Sequence, residues 1–318
     1  MKNPPREWPL DDPRRTPITL RRDYVADGYN DRALARLVAD GVLAKPRRGA
    51  YVAGSVWRDL DEDGRHAVQA RAVVAQAGTE LVLSHVSGLV EYGAPTWGMS
   101  LDDVHVTRRD RRAGRREAGV CQHRGVLQKS DVVQRNGVAV VAPARLALET
   151  TTAADAEVAL GVVNHLLHHR FTTLPDLEER YQGMAMWPRT LTTDLVLRLA
   201  DPRIESLGES RCMHLFFRRG LPAPVPQYEV KDPSGSVVAR VDFAWPELGV
   251  FVEFDGLVKY EKLLKPGQRA SDVVVAEKAR EDLVRRITGW RCIRLTWAAL
   301  ERPDRTAAML HRYLSRVA

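Results

Sequence analysis

The chain has 318 residues, of which 44% are hydrophobic and 28% charged, a composition typical of folded globular proteins and not of disordered ones. At about 100–200 residues per domain, this length predicts two or three domains. No apolar run approaches the ~18 residues that span a bilayer, and the Pro- and charge-rich start lacks the apolar core of a signal peptide, so we expect a cytoplasmic protein without a membrane partner. The 48 basic and 41 acidic residues give a net charge of +7, which favours a polyanionic partner, nucleic acid first.

Residues 16–56 have the pattern of a winged helix-turn-helix domain. Two short helical segments precede a β-hairpin over residues 42–52, and Asn30 or Asp31 is placed to cap the second helix. We expect the basic side chains of that helix and of the hairpin tip to contact DNA: Arg32, Arg36, Lys45, Arg47 and Arg48. The alternative interpretation is a basic, solvated helix face.

Residues 57–200 predict a mixed α+β middle region. Helical periodicity occurs near residues 62–77, 84–92, 143–150 and 155–169, and a short strand is expected at 103–107. The segment 108–116 contains six arginines and one acid, and it either extends a phosphate-binding surface or forms a mobile hairpin. Because no HExxH motif or other histidine–carboxylate pair has ligand spacing, we do not expect a zinc enzyme.

Residues 204–318 predict an α/β domain with the order αβββαβ. A helix over 206–220 is followed by strands at 227–231, 237–245 and 250–255, then by a helix over about 272–288 and a strand at 292–296. The segments 232–235 and 246–249 provide the turns between the first three strands.

Three acidic residues interrupt these apolar strands. If Pro246 faces Gly249 across the turn, the same register makes Asp242 and Glu253 direct neighbours, with Cβ atoms ~5 Å apart. Asp255 lies two residues after Glu253 and shares its face. Carboxylates this close repel each other unless a proton or a cation lies between them, and oxygen ligands favour Mg²⁺ or Mn²⁺.

The acids also have a structural interpretation. They would then form ion pairs with Arg240, Lys259 or Lys278 and stabilise the sheet without binding a metal. This interpretation does not explain why two strands bring acids to the same end of one face.

Five motifs carry a family resemblance over about a third of the chain: ESLGE (205–209), RVDFAW (240–245), VEFDG (252–256), EKARED (277–282) and GWRCIRLTW (289–297). In order and spacing they resemble the Vsr-like branch of the PD-(D/E)XK nuclease superfamily. The resemblance implies a restriction-endonuclease-like αβββαβ core and metal-dependent cleavage of DNA phosphodiesters.

Carried over by position, the resemblance makes Asp242 and Glu253 the metal ligands and Glu209 the helical acid near the metal, with Mg²⁺ or Mn²⁺ as the ion. Where the family has its lysine, this chain has Asp255, a change that the Vsr-like branch commonly shows. Lys278 on the following helix is our candidate for the missing cation, and Lys259 is a weaker one.

The helix at 31–41 and the RGAYV segment at 48–52 resemble the winged-helix antitoxin domain of the AbiEi type. Together, the resemblances imply a DNA-binding protein with an endonuclease domain, acting in phage defence or repair. One alternative is a transcriptional regulator or antitoxin with a cognate toxin, in which the nuclease fold is not catalytic, and another is a nuclease that acts on RNA or branched DNA. The sequence leaves the oligomeric state open.

Overall fold

The protein is described by a computed structural model that covers residues 7–108, 114–184, 190–256 and 280–315. The chain divides into two compact units, Met1–Leu197 and Arg198–Ala318. Both contain helices and β-strands, as the composition and patterning predicted, and the described strands form three sheets. No helix of the described residues combines the length and apolar character needed to cross a membrane.

The first unit begins with a small sheet and four helices. Its elements are β1 (Thr19–Leu20), α1 (Arg21–Ala26), α2 (Asp31–Ala39), β2 (Leu43–Arg47), β3 (Ala50–Ala53), α3 (Gly54–Asp59) and α4 (Glu62–Gln76). The strands lie in the antiparallel order β1-β3-β2. The expected helix and hairpin are therefore confirmed as elements, and the Asn30 side chain caps α2 by accepting the N–H of Ala33 at 2.9 Å. Val52 of β3 and Val68 of α4 share one buried cluster, which joins this sheet to the rest of the unit.

A six-stranded sheet forms the centre of the first unit. Its elements are β4 (Leu81–Leu83), α5 (His85–Glu91), β5 (Val104–Arg108), β6 (Arg116–Glu117), β7 (Val120–His123), β8 (Val132–Arg135), β9 (Val138–Val141), α6 (Pro143–Ala153), α7 (Ala156–His168), α8 (Leu174–Gln182) and α9 (Thr190–Leu199). The strand order is β6-β7-β5-β4-β9-β8. The four helices and the strand expected here are confirmed, but the prediction missed most of the sheet because its strands are only two to five residues long.

The second unit contains a four-stranded mixed sheet. Its elements are α10 (Leu207–Arg218), β10 (Val225–Lys231), β11 (Val237–Trp245), β12 (Val250–Asp255), the helical residues 280–288 (α11), β13 (Arg291–Thr296), α12 (Trp297–Leu300) and α13 (Pro303–Leu314). The strands lie in the order β10-β11-β12-β13, and only the β12–β13 pair is parallel. β10 begins two residues earlier than predicted, because Pro226 is tolerated in an edge strand.

Two buried clusters cover the sheet of the second unit. Phe216 of α10 packs with Phe243 and Val252 in one cluster, while Phe251 and Val284 of α11 belong to the other. Strict strand alternation would place Val241 with Phe243, yet Val241 lies in the cluster of Phe251. The alternation of β11 is thus interrupted at the intervening residue, Asp242.

Candidate functional site

The β11–β12 register brings the predicted acids to neighbouring strands. Phe243 pairs with Val252 and Trp245 with Val250, which is the register expected from the turn. Continued by one residue, it sets Asp242 opposite Glu253. The paired ladder ends at Phe243, and the Asp242 carboxylate instead accepts the backbone N–H of Phe254 at 2.7 Å. Asp242 is therefore held by the strand that carries Glu253.

Glu209 is buried at the start of α10 and is fixed by the helix cap. The Ser206 side chain accepts the N–H of Glu209 at 3.2 Å and donates its hydroxyl to Glu209 Oε1 at 2.6 Å. The N–H of Glu205 donates to Oε2 at 3.1 Å. These bonds cap the start of the helix and also orient the carboxylate. The motif at 205–209 thus has a structural role beside its expected functional one.

Gln227 connects two of the acids. Its side-chain amide donates to Glu209 Oε2 at 2.7 Å and lies 3.5 Å from Asp242 Oδ1. Its backbone adopts a positive φ of 50°, an uncommon conformation for a residue with a Cβ atom. Sequence analysis did not identify Gln227, because neither its type nor its local pattern marks it as a bridge between two carboxylates.

Gly208 allows α10 to approach β12 closely. A Cβ atom at this position would lie 1.9 Å from Cε1 of Phe254, so only glycine fits against the ring. The Phe254 ring also packs edge-to-face on Trp297, with centroids 5.0 Å apart. The aromatic contact therefore fixes the residue whose N–H binds Asp242.

Guanidinium groups approach the acids of β12. Glu253 is 8% exposed and lies 3.5 Å from Nη2 of Arg280, and Asp255 lies 3.8 Å from Nη1 of Arg294. The structural interpretation offered Arg240 as a partner of these acids, but Arg240 pairs with Glu205 at 2.5 Å. Lys278 and Lys259 lie outside the described residues, so their predicted role stays a prediction.

The described residues contain one group of three metal-ligating side chains with ligand atoms within 4.8 Å of one another, and it is His85, His105 and His123 in the first unit. The acids Glu209, Asp242, Glu253 and Asp255 do not form such a group. Glu209 and Asp242 are instead connected through Gln227.

The sheet of the first unit brings the three histidines together. His105 of β5 and His123 of β7 lie on neighbouring parallel strands, where Thr107 pairs with His123. Because residues two apart share a face, His105 and His123 point to the same side of the sheet. His85 is the first residue of α5, directly after β4, and its φ is 49°.

The histidine rings are in direct contact. His123 Nε2 lies 2.9 Å from His105 Nδ1, and the His85 ring stacks on His123 with centroids 3.6 Å apart. Burial is the main cause that lowers the pKa of His85 to about 2 and that of His123 to about 4, and it also lowers the pKa of His105. The imidazoles are therefore neutral at pH 7, which is the form that binds metals.

His85 and His123 line a cavity of about 880 Å³ between the sheet and helices α6 and α8. Glu149 of α6 also lines it: its Oε1 accepts from Arg145 Nε at 2.8 Å, while its buried Oε2 has no hydrogen-bond partner. Oε2 lies 3.8 Å from His85 Nδ1. Burial raises the pKa of Glu149. Arg145 also donates to the fully buried Asp131 at 2.9 Å.

The sequence predicts no zinc enzyme, because no histidine–carboxylate pair has ligand spacing along the chain. His85 follows β4, His105 lies near the start of β5 and His123 ends β7, so no short motif contains any two of them. A sequence signal was available for part of the sheet, since Asn136-Gly137 between two valine-rich segments is typical of a hairpin. Recognising that hairpin would still not have fixed which strands are neighbours.

The basic residues predicted to contact DNA differ in exposure. Arg32 and Arg36 are exposed on α2, and Lys45 and Arg48 are exposed on the hairpin. Arg47 is half-buried, its Nε has no hydrogen-bond partner, and burial lowers its pKa. In the arginine-rich segment, residues 109–113 lie outside the described part of the chain.

No family model matches the chain. Over 122 residues it is 31% identical to the uncharacterised protein MT2308 of Mycobacterium tuberculosis (strain CDC 1551) and likewise to the uncharacterised protein Rv2248 of Mycobacterium tuberculosis (strain H37Rv). The similar region covers 38% of this chain and 41% of the length of each relative. Neither name states an activity.

Proposed function

We propose that the second unit is a metal-dependent nuclease that hydrolyses DNA phosphodiester bonds. The observation that carries the proposal is the placement of three acids on three elements of one unit: the buried Glu209 on α10, the half-buried Asp242 on β11 and the buried Glu253 on β12. Asp242 accepts the N–H of Phe254, the residue after Glu253 on β12, and shares Gln227 with Glu209. Burying several carboxylates together is costly unless cations or donors compensate them.

The donor set fits a hard divalent cation. Asp242 and Glu253 offer carboxylate oxygens, the ligands that Mg²⁺ and Mn²⁺ prefer, and Glu209 offers a third. When bound, such an ion lowers the pKa of a coordinated water and neutralises charge on the scissile phosphate. Lys278 keeps its proposed role as the cation that faces the developing charge.

The chain's own residues keep these acids in position. The N–H of Phe254 and the amide of Gln227 hold the carboxylate of Asp242 in place. The Ser206 hydroxyl does the same for Glu209. Arg280 near Glu253 offsets its charge when no metal is present.

The experiment is cleavage of supercoiled plasmid and of single-stranded DNA by the full chain with Mg²⁺, Mn²⁺ or EDTA. We expect metal-dependent cleavage that Asp242→Ala and Glu253→Ala abolish. Glu247→Ala is the matched control, because Glu247 is an exposed acid in the turn between the same two strands. Cleavage that survives both site variants would contradict the proposal.

The second candidate is a DNA-binding regulator or antitoxin without cleavage. It is favoured by the exposed basic side chains of α2 and the hairpin: Arg32, Arg36, Lys45 and Arg48. DNA binding in EDTA that depends on Arg32 and Arg36, together with no cleavage of either substrate in Mg²⁺ or Mn²⁺, would favour this candidate.

A further inference from the structure

We propose that His85, His105 and His123 of the first unit form a binding site for a divalent transition-metal ion, with Glu149 orienting His85. This site is separate from the proposed carboxylate site of the second unit and differs from it in ligand chemistry. Imidazole nitrogens favour borderline ions such as Zn²⁺ and Co²⁺, whereas the carboxylates favour Mg²⁺ or Mn²⁺.

The spacing of two nitrogens fits coordination. His105 Nδ1 and His123 Nε2 are 2.9 Å apart. Two nitrogens that each lie ~2.1 Å from one ion are about 3.0–3.4 Å apart when the nitrogen–metal–nitrogen angle lies between a right angle and the tetrahedral angle. A change of a few tenths of an ångström therefore converts this contact into a pair of ligands.

His85 supplies the third nitrogen. Its Nδ1 faces polar oxygens, 3.2 Å from Ser84 Oγ and 3.8 Å from Glu149 Oε2, which leaves Nε2 as its ligand atom. The His85 and His123 rings are only 13° from parallel, so their lone pairs cannot converge until one ring turns. Rotation about the Cβ–Cγ bond of histidine is soft, and the adjoining cavity provides room for it. Metal binding would thus separate the stacked pair.

Glu149 is the independent observation that points to a ligand. It is buried on α6 with Oε2 unpartnered, an arrangement that costs free energy in the absence of a compensating charge or donor. Metal-bound histidines commonly donate their second N–H to a carboxylate, which fixes the ring and strengthens the ligand. Glu149 Oε2 is placed to accept the Nδ1–H of His85 once that ring turns.

The arginines around the site are offset by acids. Arg145 and Arg180 are paired with Asp131, and Arg145 is also paired with Glu149. The cavity lining also contains one further cation, Arg124, and two acids, Asp176 and Glu179. Two of the three ligands line the cavity, so a coordination position that the protein leaves open would face it.

The test is Zn²⁺ titration by calorimetry of the full, tag-free chain after dialysis against a chelator, with Co²⁺ absorption in the visible range as a second readout. We expect one Zn²⁺ per chain that His85→Ala, His105→Ala and His123→Ala each eliminate. His311→Ala is the matched control, because His311 is an exposed histidine of the second unit. Asp242→Ala should also retain this ion, which separates the result from the fate of the proposed nuclease site.

Glu149→Gln keeps the test decisive where an alanine variant fails to fold. It retains the shape of the side chain but removes its charge, and we expect binding to weaken about 10–100-fold. Circular dichroism verifies that each variant is folded. A wild-type protein that binds no Zn²⁺ and no Co²⁺, or folded histidine variants that bind as the wild type does, would overturn the proposal.

Discussion

The carboxylate of Asp242 accepts the backbone N–H of Phe254 at 2.7 Å, across the gap where the β11–β12 ladder ends. This bond takes the place of a backbone hydrogen bond between the two strands. It connects Asp242, one predicted metal ligand, to the strand that carries Glu253, the other. Removing the acceptor would leave the Phe254 N–H without its partner.

We expect Asp242→Ala to lower the free energy of unfolding by about 1–3 kcal/mol, because a half-buried N–H loses its acceptor. Asp242→Asn keeps an acceptor oxygen and should recover most of that stability while abolishing metal-dependent cleavage. Urea unfolding and plasmid cleavage, measured side by side, check both statements. A cleaving Asp242→Asn variant would contradict the assignment of Asp242 as a metal ligand.

Gly208→Ala tests the close approach of α10 to β12. The new Cβ would lie 1.9 Å from Phe254 Cε1, so the ring must move, and overpacking of this kind costs about 1–3 kcal/mol. Gly256→Ala is the matched control, because its Cβ would meet the same Phe254 atom at 3.6 Å, an ordinary contact. Thermal unfolding of the two variants should separate them clearly, and equal stability would show that the contact relaxes without cost.

Gln227→Glu tests the bridge between Glu209 and Asp242. A third carboxylate at position 227 would repel Glu209 and Asp242, which raises the folded-state pKa of the new carboxyl group. This repulsion would lower the free energy of unfolding at pH 7 by about 2 kcal/mol. The cost of a raised carboxyl pKa is complete above the folded-state value and vanishes below the unfolded-state value of ~4.3, so the deficit should disappear as the pH falls towards 4. Added Mn²⁺ should reduce this loss of stability of Gln227→Glu at pH 7.

Urea unfolding at pH 7 and pH 4, with and without Mn²⁺, measures this effect. Gln134→Glu provides the control, since Gln134 is exposed on β8 and a new charge there meets solvent. A Gln227→Glu deficit that is independent of pH would indicate lost packing instead of charge repulsion.

The histidine cluster predicts a loss of stability in mild acid. In the folded state the pKa of His85 is about 2 and that of His123 about 4, below the ~6.5 of an unfolded chain. Protonation therefore favours unfolding, and the stabilisation present above pH ~6.5 is lost as the pH falls towards 4. His85 alone should account for about 2 kcal/mol between pH 7 and pH 5.

The measurement is the free energy of unfolding at pH 7 and pH 5 for the wild type and for His85→Gln. Burial raises the pKa of Glu149, and this residue therefore changes the pH dependence of stability with the opposite sign. All the proteins compared keep Glu149. We expect a smaller pH dependence in His85→Gln and an unchanged one in His311→Gln. Equal slopes in all three proteins would contradict the burial of a neutral His85.

Arg32→Ala and Arg36→Ala should each weaken DNA binding in EDTA and reduce the slope of log affinity against log salt by about 1, because each removes one phosphate contact. Arg198→Ala should leave both quantities unchanged, since this exposed arginine lies on α9, outside the predicted helix and hairpin. Fluorescence anisotropy over a range of salt concentrations checks the slopes. Equal slopes in the wild type and both α2 variants would contradict DNA contact by this helix.

Local rules of the sequence determined much of the fold. The turn at 246–249 ends at Gly249, whose φ of 59° glycine accepts without strain, and this turn fixes the β11–β12 register that was predicted. Side-chain periodicity likewise predicted α2, α4 and α7, because amphipathic helices repeat over neighbouring residues. The placement of Asp242 and Glu253 on neighbouring strands follows from that register, whereas the bond from the Phe254 N–H to Asp242 does not.

Only the tertiary structure decided which distant residues meet. Gln227 reaches Glu209 because the beginning of β10 lies beside the start of α10, and Gly208 matters because the Phe254 ring packs on it. His85, His105 and His123 meet because β4, β5 and β7 are neighbours in the order β6-β7-β5-β4-β9-β8. Strand order depends on long-range packing, which hydrophobic periodicity and turn types do not encode, whereas they do fix local register and helix faces.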